Sequence, residues 1–170
     1  MYYFFHGTTL ESFCNIMRTG MIVAPYYMSK AEKKYIRMNP TSKYIFTNIY
    51  VDDLPLKSDE TAGVGRITLI IDPTILKHKT CYFNYGWLAD TDSSIIFNDN
   101  ISTITTWLCN NYKYPYILTH EALFKKSISL KYVTCVICAK SDRKIIKKYM
   151  RKYGYAFKLF DEFPVLDRSK

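Results

Sequence analysis

Short blocks of apolar residues separated by polar turns run along most of this chain, and several of them have the composition of β-strands. Aromatic and β-branched residues dominate these blocks, as is typical of residues that pack on a pleated sheet. We predict about six or seven short strands, which include residues 2–5, 44–51, 67–71, 80–83, 95–97 and 132–139.

Helical periodicity is strongest near the two ends of the sequence. Leu10, Phe13, Cys14 and Met17 recur at the spacing of one helix face. Residues 8–11 (Thr-Thr-Leu-Glu) have the spacing of a capping box, and Gly20 predicts a left-handed helix end.

A second helix is predicted between Ser141, as its N-terminal cap, and Gly154. Its apolar side consists of Ile145, Ile146, Tyr149, Met150 and Tyr153, and its other side of Lys144, Lys147, Lys148 and Arg151. Shorter helices are expected over residues 29–37 and 101–110, with a long loop over 52–65. Because strands and helices do not alternate regularly, we expect an α+β fold, formed as a single domain over residues 1–170.

Composition and charge indicate which partners and which cellular location to expect. The 170 residues carry a net charge of +9, which favours anionic partners such as nucleic acid. No apolar run approaches the length that spans a bilayer, and no secretory signal is recognisable, so we expect an intracellular protein, cytoplasmic or nuclear, without membrane association. The abundance of Lys, Asn, Ile, Tyr and Phe is typical of AT-rich genomes, such as those of some large DNA viruses.

The five cysteines are scattered and do not predict a disulfide framework. Cys135 and Cys138 form a CxxC pattern inside a predicted strand. Residues three apart on a strand face opposite sides, so the two sulfurs diverge. We therefore expect buried, reduced thiols and no metal site.

The first candidate site is the junction between the strand at residues 2–5 and the helix that follows. His6 lies where the strand leads into the positive end of a helix, and Gly7 would let a ligand approach the backbone. A phosphate-bearing ligand would fit there. The alternative is that His6, Gly7 and Thr8 only shape the turn and the cap.

The second candidate is Glu121, which lies among apolar residues where a strand is expected. Glu is rarely buried without a partner, so an inward-facing Glu121 would suggest a functional carboxylate. The alternative is an exposed carboxylate on an edge strand. His120 would face the opposite way and is not a catalytic candidate.

Together these residues resemble the ADP-ribosyltransferase fold, which includes poly(ADP-ribose) polymerases, bacterial mono-ADP-ribosylating toxins and DNA-modifying toxins of the DarT type. The first match is His6-Gly7-Thr8, followed by a helix that ends in Asn15-Ile16-Met17-Arg18-Thr19-Gly20. The second match is a glutamate strand at Glu121-Ala122-Leu123-Phe124, followed by a loop and another apolar strand. The resemblance implies two small, mainly antiparallel sheets that form an NAD cleft, flanked by helices.

The resemblance also implies the chemistry. NAD would be the substrate, with His6 on a ribose hydroxyl of the adenosine half and the Gly7 backbone on the nicotinamide amide. Thr8 would also belong to the NAD site, and Glu121 would bind the 2′-hydroxyl of the nicotinamide ribose. Tyr44, Thr47 and Tyr50 are the best candidates for the middle of the nicotinamide pocket, where this sequence lacks the usual motif. Thr119 replaces the Gln or Glu usual in arginine-modifying members, which disfavours arginine as the acceptor. The acceptor would be a nucleic acid, a protein or a small molecule.

Two other functions stay open on the sequence alone. One is a non-catalytic module that binds nucleic acid or a host protein through its basic surface, although the stripe from Lys144 to Arg151 is more simply a solvated helix face. The other is an RNA 2′-phosphotransferase-like enzyme. That activity would need several pocket arginines, and few are available besides Arg18, Arg37 and Arg66.

Overall fold

The computed structural model describes residues 2–27, 40–51, 66–84, 96–98 and 121–161. These ranges contain ten strands and two α-helices. The strands are β1 (Tyr2–Thr8), β2 (Met21–Val23), β3 (Tyr44–Val51), β4 (Ile67–Ile71), β5 (Cys81–Asn84), β6 (Ile96–Asn98), β7 (Glu121–Lys125), β8 (Ser127–Ser129), β9 (Val133–Cys138) and β10 (Lys158–Phe160). The helices are α1 (Leu10–Thr19) and α2 (Arg143–Lys152).

Eight of the strands form one sheet in the order β10-β9-β4-β1-β3-β7-β5-β6, and β2 pairs separately with β8. All neighbours are antiparallel except β10, which lies parallel to β9. The α+β class is confirmed as a large, mainly antiparallel sheet with few helices. The resemblance implied two small sheets, but most of the described strands form one large sheet. The reason is that β1 pairs with both β3 and β4 and so joins the two halves.

The helices cover one side of the large sheet, which we call the core face. Phe4 of β1, Leu69 of β4 and Phe124 of β7 belong to the same buried cluster as Phe13 of α1 and Ile146 of α2. Phe5 and Leu123 are also buried, but they lie outside that cluster. Because side chains alternate along a strand, these two residues belong to the other side of the sheet, the opposite face.

Several predicted elements are confirmed with their bounds. The strands at 44–51 and 67–71 form as expected. After Gly154 the chain adds β10 to the sheet, parallel to β9. Gly20 adopts the left-handed conformation at the end of α1, with φ of 71°, and its amide donates to the Ile16 carbonyl.

Other expectations need correction at element boundaries. β1 continues through Thr8, so the cap of α1 is Thr9, whose hydroxyl accepts from the Ser12 amide at 3.1 Å. The predicted box between residues 8 and 11 does not form, because Thr8 is still paired with Ile67 in the sheet. Ser141 lies in a short 3₁₀ turn before α2 and does not cap it, and Ile145 is 41% exposed instead of packing inward.

The predicted helices over residues 29–37 and 101–110, the long loop over 52–65, and residues Thr119 and His120 lie outside the described residues. Within the described ranges, neither helix is long and apolar enough to cross a membrane.

Replacing Gly20 by Ala tests how tightly the end of α1 is packed. An added Cβ would lie 2.8 Å from the Tyr155 hydroxyl oxygen, and Gly20 has a positive φ. We expect a loss of about 1–3 kcal/mol in the free energy of unfolding, from backbone strain plus the clash. Denaturant-induced unfolding would measure it.

Gly154→Ala is the matched control, since Gly154 has φ of 77° but nothing within 4 Å of an added Cβ. Its cost should therefore come from backbone strain alone and be smaller. Adding Tyr155→Phe to the Gly20 variant should recover part of the loss. Equal costs for the two glycines would contradict the packing explanation.

Candidate active site

Glu121 is the first residue of β7, a strand that lies inside the sheet between β3 and β5. It stands opposite Asn48 of β3 on one side and Asn84 of β5 on the other. Only 8% of the residue is exposed. The alternative of an exposed carboxylate on an edge strand is therefore wrong.

The register also fixes the side of the sheet to which Glu121 belongs. Ala122 and Phe124 are part of the core cluster, whereas Leu123 is buried outside it. By alternation, Glu121 belongs to the opposite face. Phe5, Asn48 and Glu121 form one row across β1, β3 and β7, so Glu121 lies two strands away from the β1 junction.

Gly7 lies in β1, two residues beyond Phe5, and is paired with Thr68 of β4. It shares the opposite face with Phe5 and Glu121, and as a glycine it places no side chain there. A ligand lying over this part of the face could contact the β1 backbone directly. Gly7 is not in a turn, since it is paired within β1.

The two halves of the sheet separate next to His6. Pairing between β1 and β3 is present from Tyr2 to Phe5, whereas pairing between β1 and β4 continues to Thr8. His6 alternates onto the core face with Phe4, so its side chain and that of Glu121 start from different faces. The imidazole nevertheless reaches across to β3, where Nδ1 lies 2.8 Å from the Phe46 carbonyl oxygen.

That contact defines the protonation of the ring. A carbonyl oxygen only accepts, so Nδ1 must carry the hydrogen and donate. Burial lowers the pKa of His6 below its ordinary value of 6.5, while the bond to Phe46 opposes that shift. At neutral pH the ring is uncharged, and its Nε2 is an acceptor suited to a hydroxyl group.

Thr8 and Thr47 are buried residues with structural contacts. Thr8 is 8% exposed and pairs with Ile67. Thr47 is fully buried, and its hydroxyl donates to the Ala122 carbonyl oxygen at 2.7 Å. This bond ties β3 to β7 one residue beyond Glu121.

Tyr44 and Tyr50 are placed at opposite ends of β3. Tyr44 pairs with Lys125, about 13 Å along β7 from Glu121 at the usual strand rise. Its ring meets that of Tyr82 edge to face, and the Lys125 ammonium lies 5.8 Å from one ring centre and 5.0 Å from the other. Tyr50 is paired with Tyr3, two residues from Asn48.

Asn48 adjoins Glu121 but was not among the residues predicted from the sequence. It stands between Phe5 and Glu121 in the same row and is partly buried. The signal was present, because Asn48 is a polar residue two positions from Phe46 in a strand of mostly apolar residues. Only the pairing with β7, however, shows that it adjoins the carboxylate.

Other candidate groups are occupied or unreactive. Arg66 makes a two-pronged ion pair with Asp142, in which Nε lies 2.5 Å from Oδ2. Arg18 is exposed at the end of α1. Burial raises the pKa of Cys135 to about 11 and also raises that of Cys138, so both thiols are poor nucleophiles.

Solved structures with a similar fold are DarT proteins. Thermus sp. 2.9 DarT in complex with ADP-ribosylated ssDNA matches with a TM-score of 0.65 and 11% identity, over 94% of this chain and 93% of that one. The same protein in complex with NAD+ matches with a TM-score of 0.65 and 10% identity, over 93% of each chain. Thermosipho africanus DarTG in complex with ADP-ribose matches with a TM-score of 0.59 and 10% identity, over 93% of this chain and 49% of that one. This chain therefore has the fold of these DarT proteins.

Residues 1–119 match the model of a family described as a family of unknown function (DUF5846), and this chain belongs to that family. The matched range contains the His6 junction and ends just before Glu121. No curated protein sequence matches this one.

The lowered pKa of His6 predicts a pH-dependent stability. Between the pKa of folded His6 and about 6.5, the unfolded chain binds the proton more readily than the folded chain. The free energy of unfolding should therefore fall as pH is lowered below 6.5. Denaturant unfolding at pH 7.5, 6.5 and 5.5 would measure the decline.

His6→Asn is the matched control, because its side-chain amide can still donate to the Phe46 carbonyl but does not titrate. His78 and His120 are retained in both proteins. As pH is lowered, the wild type should therefore lose stability relative to the variant. A difference that stays constant across this range would contradict the proposed burial of His6.

Proposed function

We propose that this protein is an ADP-ribosyltransferase that cleaves the nicotinamide–ribose bond of NAD and transfers ADP-ribose to a nucleic-acid or protein acceptor. The proposal is supported by the DarT-type fold and carried by one observation, the burial of Glu121 inside the sheet, on the face where Gly7 places no side chain. In this proposal, residues 1–170 act as one functional unit.

Glu121 is the proposed catalytic carboxylate. When the bond between C1′ and the nicotinamide nitrogen breaks, its electron pair leaves with neutral nicotinamide and positive charge develops on the ribose. A carboxylate held near that centre binds the transition state better than the ground state. Few waters compete in a buried position, so the electrostatic effect of Glu121 is larger than at the surface.

Gly7 and His6 are the proposed NAD-binding residues of β1. The Gly7 backbone can approach the nicotinamide amide because no side chain intervenes. His6 would accept a hydrogen bond from a ribose hydroxyl at Nε2, with its tautomer fixed by Phe46. Because the His6 side chain starts from the core face, its ring would reach the ligand through the gap between β1 and β3.

In this proposal, the other predicted pocket residues would hold the strands of the NAD site in place or border it. Thr8 and Thr47 would hold β1 and β7 in place from the core. Asn48 adjoins Glu121 and is the residue on β3 that we add to the pocket. Tyr44 and Tyr50 would border it at the two ends of that strand.

The second half of the reaction is attack of an acceptor nucleophile on C1′, with loss of the acceptor's proton. The net charge of +9 favours an anionic acceptor such as nucleic acid. Thermus sp. 2.9 DarT, whose structure is in complex with ADP-ribosylated ssDNA, has a similar fold, which supports the same acceptor class here. No metal ion is needed for either half, since the carboxylate supplies the electrostatic stabilisation.

Glu121→Gln tests the catalytic assignment directly. The substitution keeps the shape and removes the charge, so we expect release of nicotinamide from NAD to fall about 10²–10³-fold. Affinity for NAD should change much less, because the lost interaction belongs to the transition state. Mass spectrometry of released nicotinamide and isothermal titration with NAD would measure the two quantities.

Glu11→Gln is the control, since Glu11 is an exposed carboxylate on α1. Equal turnover in both variants would contradict the role of Glu121. Wild-type protein that binds nucleic acid but neither binds nor cleaves NAD would instead identify a non-catalytic module. Among the arginines that the structure describes, phosphotransferase chemistry is disfavoured, because Arg66 is engaged by Asp142 and Arg18 is exposed on α1; Arg37 lies outside the described residues.

His6→Asn separates NAD binding from folding. Asn keeps the donor to Phe46 and removes the acceptor at the Nε2 position, so KM for NAD should rise about tenfold or more, the effect of one buried hydrogen bond. Thermal unfolding at pH 7.5 should change little. A variant with unaltered KM would show that His6 is only a structural link between β1 and β3.

A further inference from the structure

The outward side of α2 is strongly basic. The helix, Arg143–Lys152, has six basic residues and no acidic one. Five of the cations line an open groove of about 620 Å³, which we call the α2 basic surface: Lys144, Lys147, Lys148, Arg151 and Lys152.

This arrangement is unfavourable for the helix itself. Lys144 and Lys148 are four residues apart, as are Lys147 and Arg151, and like charges at this spacing repel. Lys144 also lies in the first turn, where the helix dipole disfavours a positive charge. The charges therefore do not stabilise α2, and a bound polyanion would offset their repulsion.

Within the described residues, the ion pairs near α2 do not use these five cations. Asp142 pairs with Arg66, and Asp161 lies near Lys140 and Arg143, at 3.3 and 3.5 Å. Lys144, Lys147, Lys148 and Arg151 are exposed. Their charges are thus directed to solvent and available to a partner.

The length of the surface matches a chain of phosphates better than a single phosphate group. The cations run from Lys144 to Lys152, which is a little over two turns, or about 12 Å, along the helix axis. One small anion would contact one turn at most. The backbone of a nucleic acid presents repeated negative charges along such a distance.

The α2 basic surface lies away from the candidate active site. Ile146 and Met150 anchor α2 in the cluster that contains Ala122 and Phe124, on the core face of the sheet. Glu121 belongs to the opposite face. A ligand on the outer side of α2 would therefore be separated from Glu121 by the sheet.

We propose that the α2 basic surface is a separate docking site for the sugar–phosphate backbone of nucleic acid. It would hold the protein on a strand without reading its sequence, since phosphate contacts fix position and not base identity. This inference does not rest on the NAD chemistry. A nucleic-acid docking site would be present on α2 even in a protein that cleaves no NAD.

The test measures binding of a fluorescein-labelled, single-stranded oligonucleotide of 20 nucleotides. Binding is monitored by fluorescence anisotropy at 50–300 mM NaCl. The full chain is compared with the triple variant Lys144→Gln, Lys148→Gln and Arg151→Gln, which retains good helix formers. We expect at least tenfold weaker binding at 100 mM NaCl. The slope of log affinity against log salt should fall in magnitude by about two, at roughly 0.7 per lost phosphate contact on a single strand.

The matched control removes three exposed charges elsewhere, with Lys43→Gln, Lys77→Gln and Lys131→Gln. If it weakens binding as much as the α2 variant, the effect is net charge alone and the proposal is wrong. Binding to vesicles rich in anionic lipid, with none to the single strand, would also overturn it. Circular dichroism and thermal unfolding verify that both variants fold.

NAD cleavage measured without nucleic acid separates this inference from the proposed function. The α2 variant should release nicotinamide at the wild-type rate, because it leaves Glu121 and His6 untouched. If the α2 variant no longer binds the oligonucleotide but still cleaves NAD normally, the docking site is supported. Normal strand binding by the α2 variant would overturn the docking site whether or not NAD is cleaved.

Discussion

The placement of β7 between β3 and β5 is the constraint on which the candidate site depends. Because β7 is paired on both sides, its first residue cannot lie at a solvent-exposed sheet edge. A carboxylate in that position is costly unless its environment accommodates it. The buried bond from Thr47 to Ala122 fixes the strand one residue further on, so the location of Glu121 is set by both backbone and side-chain contacts.

The second constraint is the point at which β1 leaves β3. Up to Phe5 the sheet is continuous, and beyond it β1 follows β4 while β3 follows β7. His6 occupies that boundary and bridges it with one side-chain hydrogen bond. The carboxylate row and the glycine backbone therefore lie beside the point where the pairing between β1 and β3 ends.

Local features of the fold could be predicted from the sequence, and long-range ones could not. The strand at 44–51 and the left-handed Gly20 follow from composition and helix-ending chemistry, which act over a few residues. The burial of Glu121 depends on pairing with residues about 40 and 70 positions away, which periodicity does not encode. The faces of His6 and Glu121 could likewise be compared only once the register was known. Asn48 was missed for the same reason.

The fixed tautomer of His6 has a consequence for which dinucleotide the proposed site would accept. With Nδ1 committed to Phe46, the outer nitrogen offers only a lone pair. A ribose bearing a free hydroxyl can satisfy it, whereas a phosphate ester at that oxygen would present further lone pairs and negative charge to it. The unphosphorylated dinucleotide would then be preferred over its 2′-phosphorylated form, through the acceptor character of one uncharged ring.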